Sequence, residues 1–183
     1  MTNGPECPRK RSGQGLPTGF TNISTGKGPD LVTLTIVRVQ GSDPAVALPA
    51  RATPHSAGLD LRANLEKENR VDGILLGSGE RRLIPTGLKI NIPHGYEAQI
   101  RPRSGLAFKH GISILNSPGT IDSDYRGKVG ILLINLGQKE FRIRHGDRIA
   151  QLVICKVERV SIVEVDTLSP TIRNEGGFGS TGK

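Results

Sequence analysis

The glycine-rich stretch from Gly176 to Lys183 is the segment best suited to binding an anion. It reads GGFGSTGK and combines small residues with two hydroxyl side chains and the aromatic ring of Phe178. Glycine lets backbone N–H groups turn towards an anion at little steric cost, and the Phe178 ring offers a flat apolar face to a base. This composition favours a flap that closes over a nucleotide polyphosphate. The alternative is an unstructured Gly/Ser tail.

Four further patches are richer in Gly, Asp, Arg and Ser than a folded domain requires. They are residues 56–63 (SAGLDLRA), 101–107 (RPRSGLA), 119–127 (GTIDSDYRG) and 146–152 (GDRIAQL), and Arg173 belongs with the glycine-rich stretch to a fifth. Each patch alone is better explained by a turn or by a surface ion pair of small energetic value than by a binding site. Their functional meaning therefore depends on their occurring together and in this order.

Composition restricts the class of ligand and the compartment. The net charge of +8 suits an anionic ligand without identifying it. Lys and Arg form no stripe and no signature of a nucleic-acid-binding module is present, so we expect no stable nucleic-acid binding.

Cys7 and Cys155 cannot build a disulfide framework or a zinc site, which favours a reducing compartment. No apolar run is long enough to span a membrane, so we expect no membrane association and a cytoplasmic protein. The basic cluster Pro8–Ser12 is either an import signal, which would place the protein in a nucleus, or a solvated group of charges.

The elements that must position these patches are predicted to be strands. Residues 1–30 are rich in Gly, Pro, Ser and Thr, and we expect a disordered basic tail. From Leu31 onwards, short β-branched or alternating runs are separated by Gly, Pro, Asp or Asn, which predicts an all-β sandwich or barrel. One or two helical turns are expected around Leu106–His110. The candidate strands are Leu31–Val39, Leu88–Ile92, Tyr96–Ile100, Ile112–Leu115, Val129–Ile134, Phe141–Arg144, Ile149–Val157 and Val160–Val165.

Taken in order, the five patches resemble the five motifs of the trimeric dUTPase (deoxyuridine triphosphate nucleotidohydrolase) family, and the resemblance covers residues 31–183. It implies an all-β, jelly-roll-like β-barrel over residues 31–170 and a flexible C-terminal arm over residues 171–183 that closes over the nucleotide. It also implies a homotrimer whose active sites are shared between subunits. Asn174 stands where the family usually has Gly, which predicts altered arm mobility at most. Leu59 stands where many eukaryotic members have Tyr.

The family's reaction is the hydrolysis of dUTP to dUMP and pyrophosphate. The resemblance therefore implies a hydrolase of nucleotide metabolism, a dUTP diphosphatase that keeps uracil out of DNA and supplies dUMP for thymidylate synthesis. Mg²⁺ is the expected cofactor. The resemblance implies that the ion is held by the substrate phosphates and by water, without a direct protein ligand.

The resemblance also assigns roles to individual residues. Asp122 matches the family's catalytic carboxylate, which orients and deprotonates the water that attacks the α-phosphorus. Tyr125 matches the residue that packs under the deoxyribose and excludes UTP. Asn116 and the hairpin after it match the uracil pocket, and Phe178 matches the residue that covers the uracil.

Further residues are expected to hold the phosphates or to support the catalytic centre. Asp60 and Arg148 match a supporting pair close to the metal. The substrate contacts that the resemblance implies are Arg103, Ser104, Gly105, Asn116, Gly119, Thr120, Ile121, Tyr125, Gln151, Arg173, Gly177, Phe178, Gly179 and Ser180.

Two alternatives of different kinds remain at this point. The related deoxycytidine triphosphate deaminases share the barrel but carry a catalytic Glu, whereas this chain has the form Asp122-Ser123-Asp124-Tyr125 and a full glycine-rich arm. A non-catalytic dUTPase-like protein that binds partners and signals would be expected to have lost motif residues. Asp122, Tyr125, Gln151 and Phe178 are all present, which disfavours that loss.

Overall fold

Short strands make up most of the secondary structure in residues 31–177, which are the residues that the computed structural model describes. The helical elements are a short 3-10 helix at Lys67–Asn69 and α1 at Ser104–His110. The strands are β1 (Thr35–Arg38), β2 (Ala50–Arg51), β3 (Leu59–Arg62), β4 (Ile74–Leu76), β5 (Arg81–Asn91), β6 (Tyr96–Arg101), β7 (Ile112–Ile114), β8 (Gly119–Ile121), β9 (Val129–Asn135), β10 (Phe141–Ile143) and β11 (Arg148–Lys156).

The strands pair antiparallel in two main sheets and one small ribbon. One sheet has the order β1-β5-β9-β7, the other has the order β2-β3-β11-β6-β8, and β4 pairs with β10. Neighbours in a sheet are mostly distant in sequence, because the chain crosses repeatedly from one sheet to the other, as between β5 and β6 and between β7 and β8. Residues 33–177 belong to one compact unit. The prediction of an all-β fold is confirmed.

Alternation along the strands builds the core between the sheets. In β9 the side chains of Val129, Ile131 and Leu133 are buried and the residues between them are only partly covered. This period of two is what a strand with one buried face requires. Burying each of these aliphatic side chains contributes about 1.5–3 kcal/mol, so a one-residue slip of register would be strongly disfavoured.

The long strand β5 contains a bulge that sequence patterns concealed. Its register against β9 shifts between Pro85 and Leu88, and Gly87 between them has a φ of 69°. A side chain at Gly87 would lie 2.8 Å from the Ser42 β-carbon. Pro and Gly signal a break in a regular strand, and the predicted strand Leu88–Ile92 covers only the last four of the eleven residues of β5. The bulge accommodates both residues, and the strand continues.

Most predicted elements are present, with one clear error. The candidate strands that correspond to β1, β6, β7, β9, β10 and β11 are confirmed, and so is the helix at Leu106–His110, which begins earlier at Ser104. The prediction of a strand at Val160–Val165 is wrong for the single chain, since this segment pairs with no strand and is exposed. Its apolar alternation is that of a strand, but within residues 31–177 it pairs with none of the edge strands of the two sheets. The predicted tail at residues 1–30 lies outside the described residues.

A buried amide holds the turn after β9. Asn135 is completely buried, and its Nδ2 donates to the carbonyl oxygens of Leu76 and Lys139 at 2.9 and 2.8 Å. Its Oδ1 accepts the N–H of Gly137 at 2.9 Å. A buried amide with its partners in place is stabilising, whereas one without them would be costly. Asn135 is therefore a structural residue.

A half-buried carboxylate ties together three connections of the barrel. The Asp43 carboxylate accepts the N–H of Ala45 at 2.8 Å and lies 3.1 Å from Nε2 of His145 and 3.9 Å from Arg70. His145 Nδ1 accepts the N–H of Leu65 at 3.1 Å, so the ring proton is on Nε2 and is donated to Asp43. The backbone N–H of Ala45, and then the His145 side chain, hold the pKa of Asp43 below its ordinary value of 3.8.

We expect Asp43→Asn to lower the free energy of unfolding at neutral pH, and this difference to shrink in acid. The pKa of Asp43 is lower in the folded state, so its ionised form contributes stability above the unfolded value of 3.8, and this contribution is lost as the pH falls through the folded value. Urea unfolding of both proteins from pH 7 downwards measures the difference. Asp72→Asn is the control, because the Asp72 side chain makes no ion pair or hydrogen bond within residues 31–177. A difference that stays constant across the pH range would contradict this assignment.

Candidate active site

The predicted uracil hairpin surrounds a real cavity. A cavity of about 290 Å³ lies between strand β9 and the hairpin, which runs from Asn116 through β8. Apolar side chains, among them Ile100, Ile114 and Leu83, form much of its wall. The predicted site residues that line it are Asn116, Gly119, Thr120, Ile121, Asp122 and Tyr125. Apolar walls with a few polar groups are typical of a pocket for a nucleobase and sugar.

Close packing fixes the two ends of this hairpin. A β-carbon at Gly119 would lie 3.3 Å from Nδ2 of Asn116 and 3.4 Å from the β-carbon of Ile100. The absence of a side chain therefore lets the Asn116 amide lie against β8. The peptide bond between Ser117 and Pro118 is cis. The packing of Asn116 against β8 therefore shapes this side of the cavity.

Packing on Gly127 and a hydrogen bond from the phenol oxygen hold the Tyr125 ring in place. The Tyr125 N–H donates to the Asp122 carbonyl oxygen at 3.2 Å, and the phenol O–H donates to the Lys128 carbonyl oxygen at 3.1 Å. A side chain at Gly127 would overlap the ring and its oxygen. The ring therefore packs directly over Gly127 while 45% of the residue stays exposed beside the cavity. It can act as a rigid floor for a sugar.

Asp122 brings an uncompensated carboxylate to the rim of the cavity. The residue is exposed and lines the cavity. Within residues 31–177 its carboxylate forms no ion pair and accepts no hydrogen bond. Asp124 lies two residues further along the same turn and does not line the cavity. A carboxylate without a bound cation is free to orient a water molecule and to accept its proton.

A second group of predicted residues forms an ion-pair cluster around Asp60, further along the five-stranded sheet that contains β8. Asp60 on β3 is 8% exposed, and its Oδ2 accepts a hydrogen bond from Arg148 Nη1 at 3.1 Å. Arg103 Nε lies 3.3 Å from Asp60 Oδ1, close enough for an ion pair but not aligned for a hydrogen bond. A buried carboxylate needs such partners. Two arginines on one carboxylate leave one positive charge in excess, which suits a phosphate.

The excess positive charge continues into an adjoining cleft. Arg62, Arg103 and Arg148 line a cavity of about 320 Å³ together with His110 and Asp147. Arg103 Nη1 donates to the Arg148 carbonyl oxygen at 3.1 Å, and Arg62 donates to Gly146 at 2.8 Å. The arginines are thus held by backbone acceptors rather than by further acids. The cleft keeps its positive character.

Gln151 and the start of α1 lie beside this cluster. Gln151 on β11 pairs with Asp60 of β3 on one side and with Arg101 of β6 on the other. A β-carbon at Gly58 would lie 3.1 Å from the Gln151 β-carbon and 3.2 Å from its Cδ, so Gly58 leaves the space that the Gln151 side chain occupies. Ser104 and Gly105 are the first residues of α1, where N–H groups lack helical partners.

The two groups lie apart in the single chain. In the five-stranded sheet, Ile121 of β8 faces Ala98 of β6, whereas Gln151 of β11 faces Arg101 of β6. Three residues along a strand correspond to about 10 Å, and two strand spacings add about 10 Å across the sheet. Asp122 lies one residue further from Gln151 still. The structure therefore brings the predicted residues together as two clusters, the Asp122 cavity and the Asp60 cluster. A site that binds both the nucleoside and the triphosphate would need both clusters.

The predicted arm is described only in its first part. Arg173 and Gly177 are exposed, and the Arg173 side chain donates from Nε to the Gly176 carbonyl oxygen at 2.8 Å. The remaining predicted arm residues, Phe178, Gly179 and Ser180, lie outside the described residues.

Comparisons with known proteins identify the family to which this geometry belongs. The profile of the dUTPase family matches residues 45–182. The chain belongs to the dUTPase family. The deoxyuridine 5'-triphosphate nucleotidohydrolase of Roseobacter denitrificans is 54% identical over 153 residues, which cover 83% of this chain and 97% of that protein. The enzyme of the same name from Rickettsia typhi is 58% identical over 135 residues, 74% of this chain and 88% of that protein. This dUTPase is therefore a hydrolase, a dUTP diphosphatase.

Solved dUTPase structures show the same jelly-roll-like fold. The dUTPase of Staphylococcus bacteriophage 80alpha bound to dUPNHPP has a TM-score of 0.71 with 26% identity, and the match covers 82% of this chain and 99% of that one. A mutant dUTPase of phage phi11, whose structure contains a structural Mg(II) ion, has a TM-score of 0.62 with 23% identity over 74% of this chain. The prediction of a dUTPase β-barrel is confirmed.

Two further findings concern metals and membranes. Residues 31–177 contain no group of three or more His, Cys, Asp or Glu side chains arranged to hold a metal ion. In the same part of the chain, no helix is long and apolar enough to cross a membrane.

Several residues that shape the site were not singled out from the sequence. Gly58 and Gly127 belong to recognised motifs, but only the structure shows which side chain each one makes room for. Arg62 lies two residues after Asp60, and its place in the basic cleft follows from the pairing of β3 with β11. A strand alternation that places Asp60 and Arg62 on one face could have suggested it.

Proposed function

We propose that this dUTPase hydrolyses dUTP to dUMP and pyrophosphate with an Asp122-activated water molecule and Mg²⁺, in sites shared between the subunits of a homotrimer. The observation that supports this most is the cavity lined by Asp122 and Tyr125, which has the size and wall chemistry for a deoxyuridine. At its rim lies the Asp122 carboxylate, which has no ion-pair partner within residues 31–177. In the cell this reaction would keep uracil out of DNA and supply dUMP for thymidylate synthesis. We keep a cytoplasmic location as a prediction.

Asp122 is assigned as the general base. Its carboxylate accepts a proton from water, and the water oxygen forms a bond to the α-phosphorus. The bond between that phosphorus and the oxygen that bridges to the β-phosphorus breaks, and pyrophosphate leaves with the bridging oxygen. Positioning and charge stabilisation provide most of the remaining catalysis in phosphoryl transfer.

The basic cluster is assigned to the triphosphate. Arg103 and Gln151 offer donors to phosphate oxygens, and Asp60 with Arg148 holds Arg103 in place. dUTPases use a divalent metal, and the oxygen-rich triphosphate supplies the hard donors that Mg²⁺ prefers. When bound, Mg²⁺ neutralises charge that develops on the phosphates.

The hairpin is assigned to base and sugar selection. Asn116 and the backbone of Gly119 to Ile121 would pair with the uracil edge. Cytosine presents its donors and acceptors in the reverse order, so buried polar groups would be left unpaired. The Tyr125 floor would leave no room for a 2′-hydroxyl. Phe178, Gly179 and Ser180 keep their predicted roles in covering the base and the phosphates.

We expect Tyr125→Ala to raise the turnover of UTP relative to dUTP by about 10–100-fold, because removing the ring opens the space beneath the sugar. Tyr125→Phe is the control. It loses only the hydrogen bond to Lys128 and should keep the selectivity. The ratio of kcat/KM for the two nucleotides is measured for all three proteins. An unchanged ratio in Tyr125→Ala would show that the ring does not select the sugar.

We expect Gly58→Ala to lower turnover of dUTP by about tenfold through displacement of Gln151, since small shifts of a positioning group are costly. The added methyl group would lie 3.1–3.2 Å from Gln151. Gly77→Ala is the matched control, because its methyl group would meet only the mobile end of the Glu80 side chain, at 3.2 Å. Steady-state kinetics and thermal melting are compared. Full activity in a folded Gly58→Ala protein would count against the role of Gln151.

Two features support a homotrimer with shared sites. The Asp122 cavity and the Asp60 cluster lie at different positions in one chain, so a neighbouring subunit can complete each site. The segment after β11 also exposes apolar side chains that residues 31–177 leave uncovered, and exposed apolar surface of this kind marks an interaction site. These side chains, each exposed by 58% or more, are Val160, Ile162, Val163, Val165, Leu168 and Ile172.

Isotope transfer from water tests the reaction itself. Hydrolysis of dUTP in water enriched in oxygen-18 should place the label in dUMP and leave pyrophosphate unlabelled, since water attacks the α-phosphorus. Mass spectrometry of both products distinguishes the outcomes. Label in pyrophosphate would mean attack at the β-phosphorus and would contradict the proposed function.

A further inference from the structure

Asn174 has an unusual backbone conformation for a residue with a side chain. It is the one non-glycine residue within residues 31–177 that has a positive φ, 43°. It lies in a turn in which the Gly176 N–H donates to the Arg173 carbonyl oxygen at 2.9 Å. Glycine is favoured where the second residue of a turn needs a positive φ, and Asn is among the few other residues that adopt it readily. Asn174 can therefore keep a turn that glycine would also form.

Two further contacts hold this turn, and one of them involves the Arg173 side chain. The Asn174 N–H donates to Oγ1 of Thr171 at 3.0 Å, and Arg173 Nε donates to the Gly176 carbonyl oxygen at 2.8 Å. In the described part of the chain, the two terminal nitrogens of the Arg173 guanidinium have no hydrogen-bond partner. Those nitrogens form the fork that recognises phosphate oxygens.

We propose that Asn174 is a positioning residue for the substrate triphosphate. Its backbone conformation holds the turn, the turn holds Arg173 against Gly176, and the terminal nitrogens of Arg173 remain available to a phosphate. A turn formed before the substrate arrives reduces the conformational entropy lost on binding. The inference rests on the proposed contact between Arg173 and a substrate phosphate.

The test compares two substitutions that differ in their tolerance of positive φ. The dissociation constant of a non-hydrolysable dUTP analogue, measured by titration calorimetry, should rise about 5–30-fold in Asn174→Val, because a β-branched residue is strained in this region. It should stay within about twofold of wild type in Asn174→Gly, which adopts the same φ freely. Binding of dUMP, which lacks the outer phosphates, should not change in either variant. Similar analogue binding by the Val and Gly variants would overturn the inference.

A double-mutant cycle separates positioning from a general effect on the arm. If Asn174 acts through Arg173, Asn174→Val should weaken analogue binding no further in the Arg173→Ala background. An equal loss in both backgrounds would overturn the positioning role while leaving the proposed function intact. If Arg173→Ala alone binds the analogue as wild type does, the proposed phosphate contact fails, and this inference fails with it.

Discussion

We expect Asp122→Asn to lower the turnover of dUTP by about 10²–10⁴-fold, the usual contribution of one general base. The amide keeps the shape of the carboxylate and removes its ability to accept a proton. Because the carboxylate forms no ion pair in the described part of the chain, its loss should leave folding and the affinity for the dUTP analogue close to those of wild type. Single-turnover kinetics measure the chemical step directly.

Asp124→Asn is the matched control for this experiment. It removes a second exposed carboxylate from the same turn, but Asp124 does not line the cavity. We expect its turnover to remain within about twofold of wild type, as for a surface substitution away from the site. If the two variants lost activity equally, the effect would be due to the charge of the turn, and Asp122 would not be the base.

The second large effect is the recovery of activity when two inactive variants are mixed. Asp122→Asn should be nearly inactive, and Gln151→Ala should lose about 10²–10³-fold, as expected for the loss of one donor to a developing charge. If Asp122 and Gln151 of one site come from different subunits, random mixing in equal amounts gives both intact groups in about one quarter of the sites of a cyclic trimer. The refolded mixture should therefore show about one quarter of wild-type turnover.

Each variant refolded alone, and wild type refolded in the same way, are the controls for this mixing experiment. Sedimentation shows whether the mixed species are trimers. Activity in the mixture equal to the mean of the two separate variants would mean that Asp122 and Gln151 act within one chain. The distance between the two clusters in one chain would then need another explanation.

The sequence was informative where local pattern determines structure. The strand predicted at Val129–Ile134 follows from residue types at fixed spacing and is present as β9. Asp122 and Tyr125 line one cavity, and their roles stay predictions. The prediction covered only the last residues of β5. Taken alone, Pro85 and Gly87 indicate that a strand ends, but in the folded sheet they form a bulge against β9. Whether a glycine ends a strand or bends it depends on its partner strand, which a single sequence does not specify.

For the site too, local pattern identified the residues but did not predict how they are arranged. The residues of each motif could be named from the sequence, but the division of these residues into an Asp122 cavity and an Asp60 cluster depends on register across the sheet. The segment Val160–Val165 is a related case. Its pattern predicts a strand, and within residues 31–177 it pairs with no other strand. In the proposed trimer, a neighbouring subunit could cover such a segment.

The most direct test of the central claim is pyrophosphate release from dUTP, UTP, dCTP and dTTP in the presence of Mg²⁺, with Asp122→Asn assayed in parallel. The account predicts rapid release from dUTP alone, loss of that release in the variant, and no ammonia from dCTP. Comparable release from all four nucleotides, or ammonia from dCTP, would contradict a site built for deoxyuridine triphosphate.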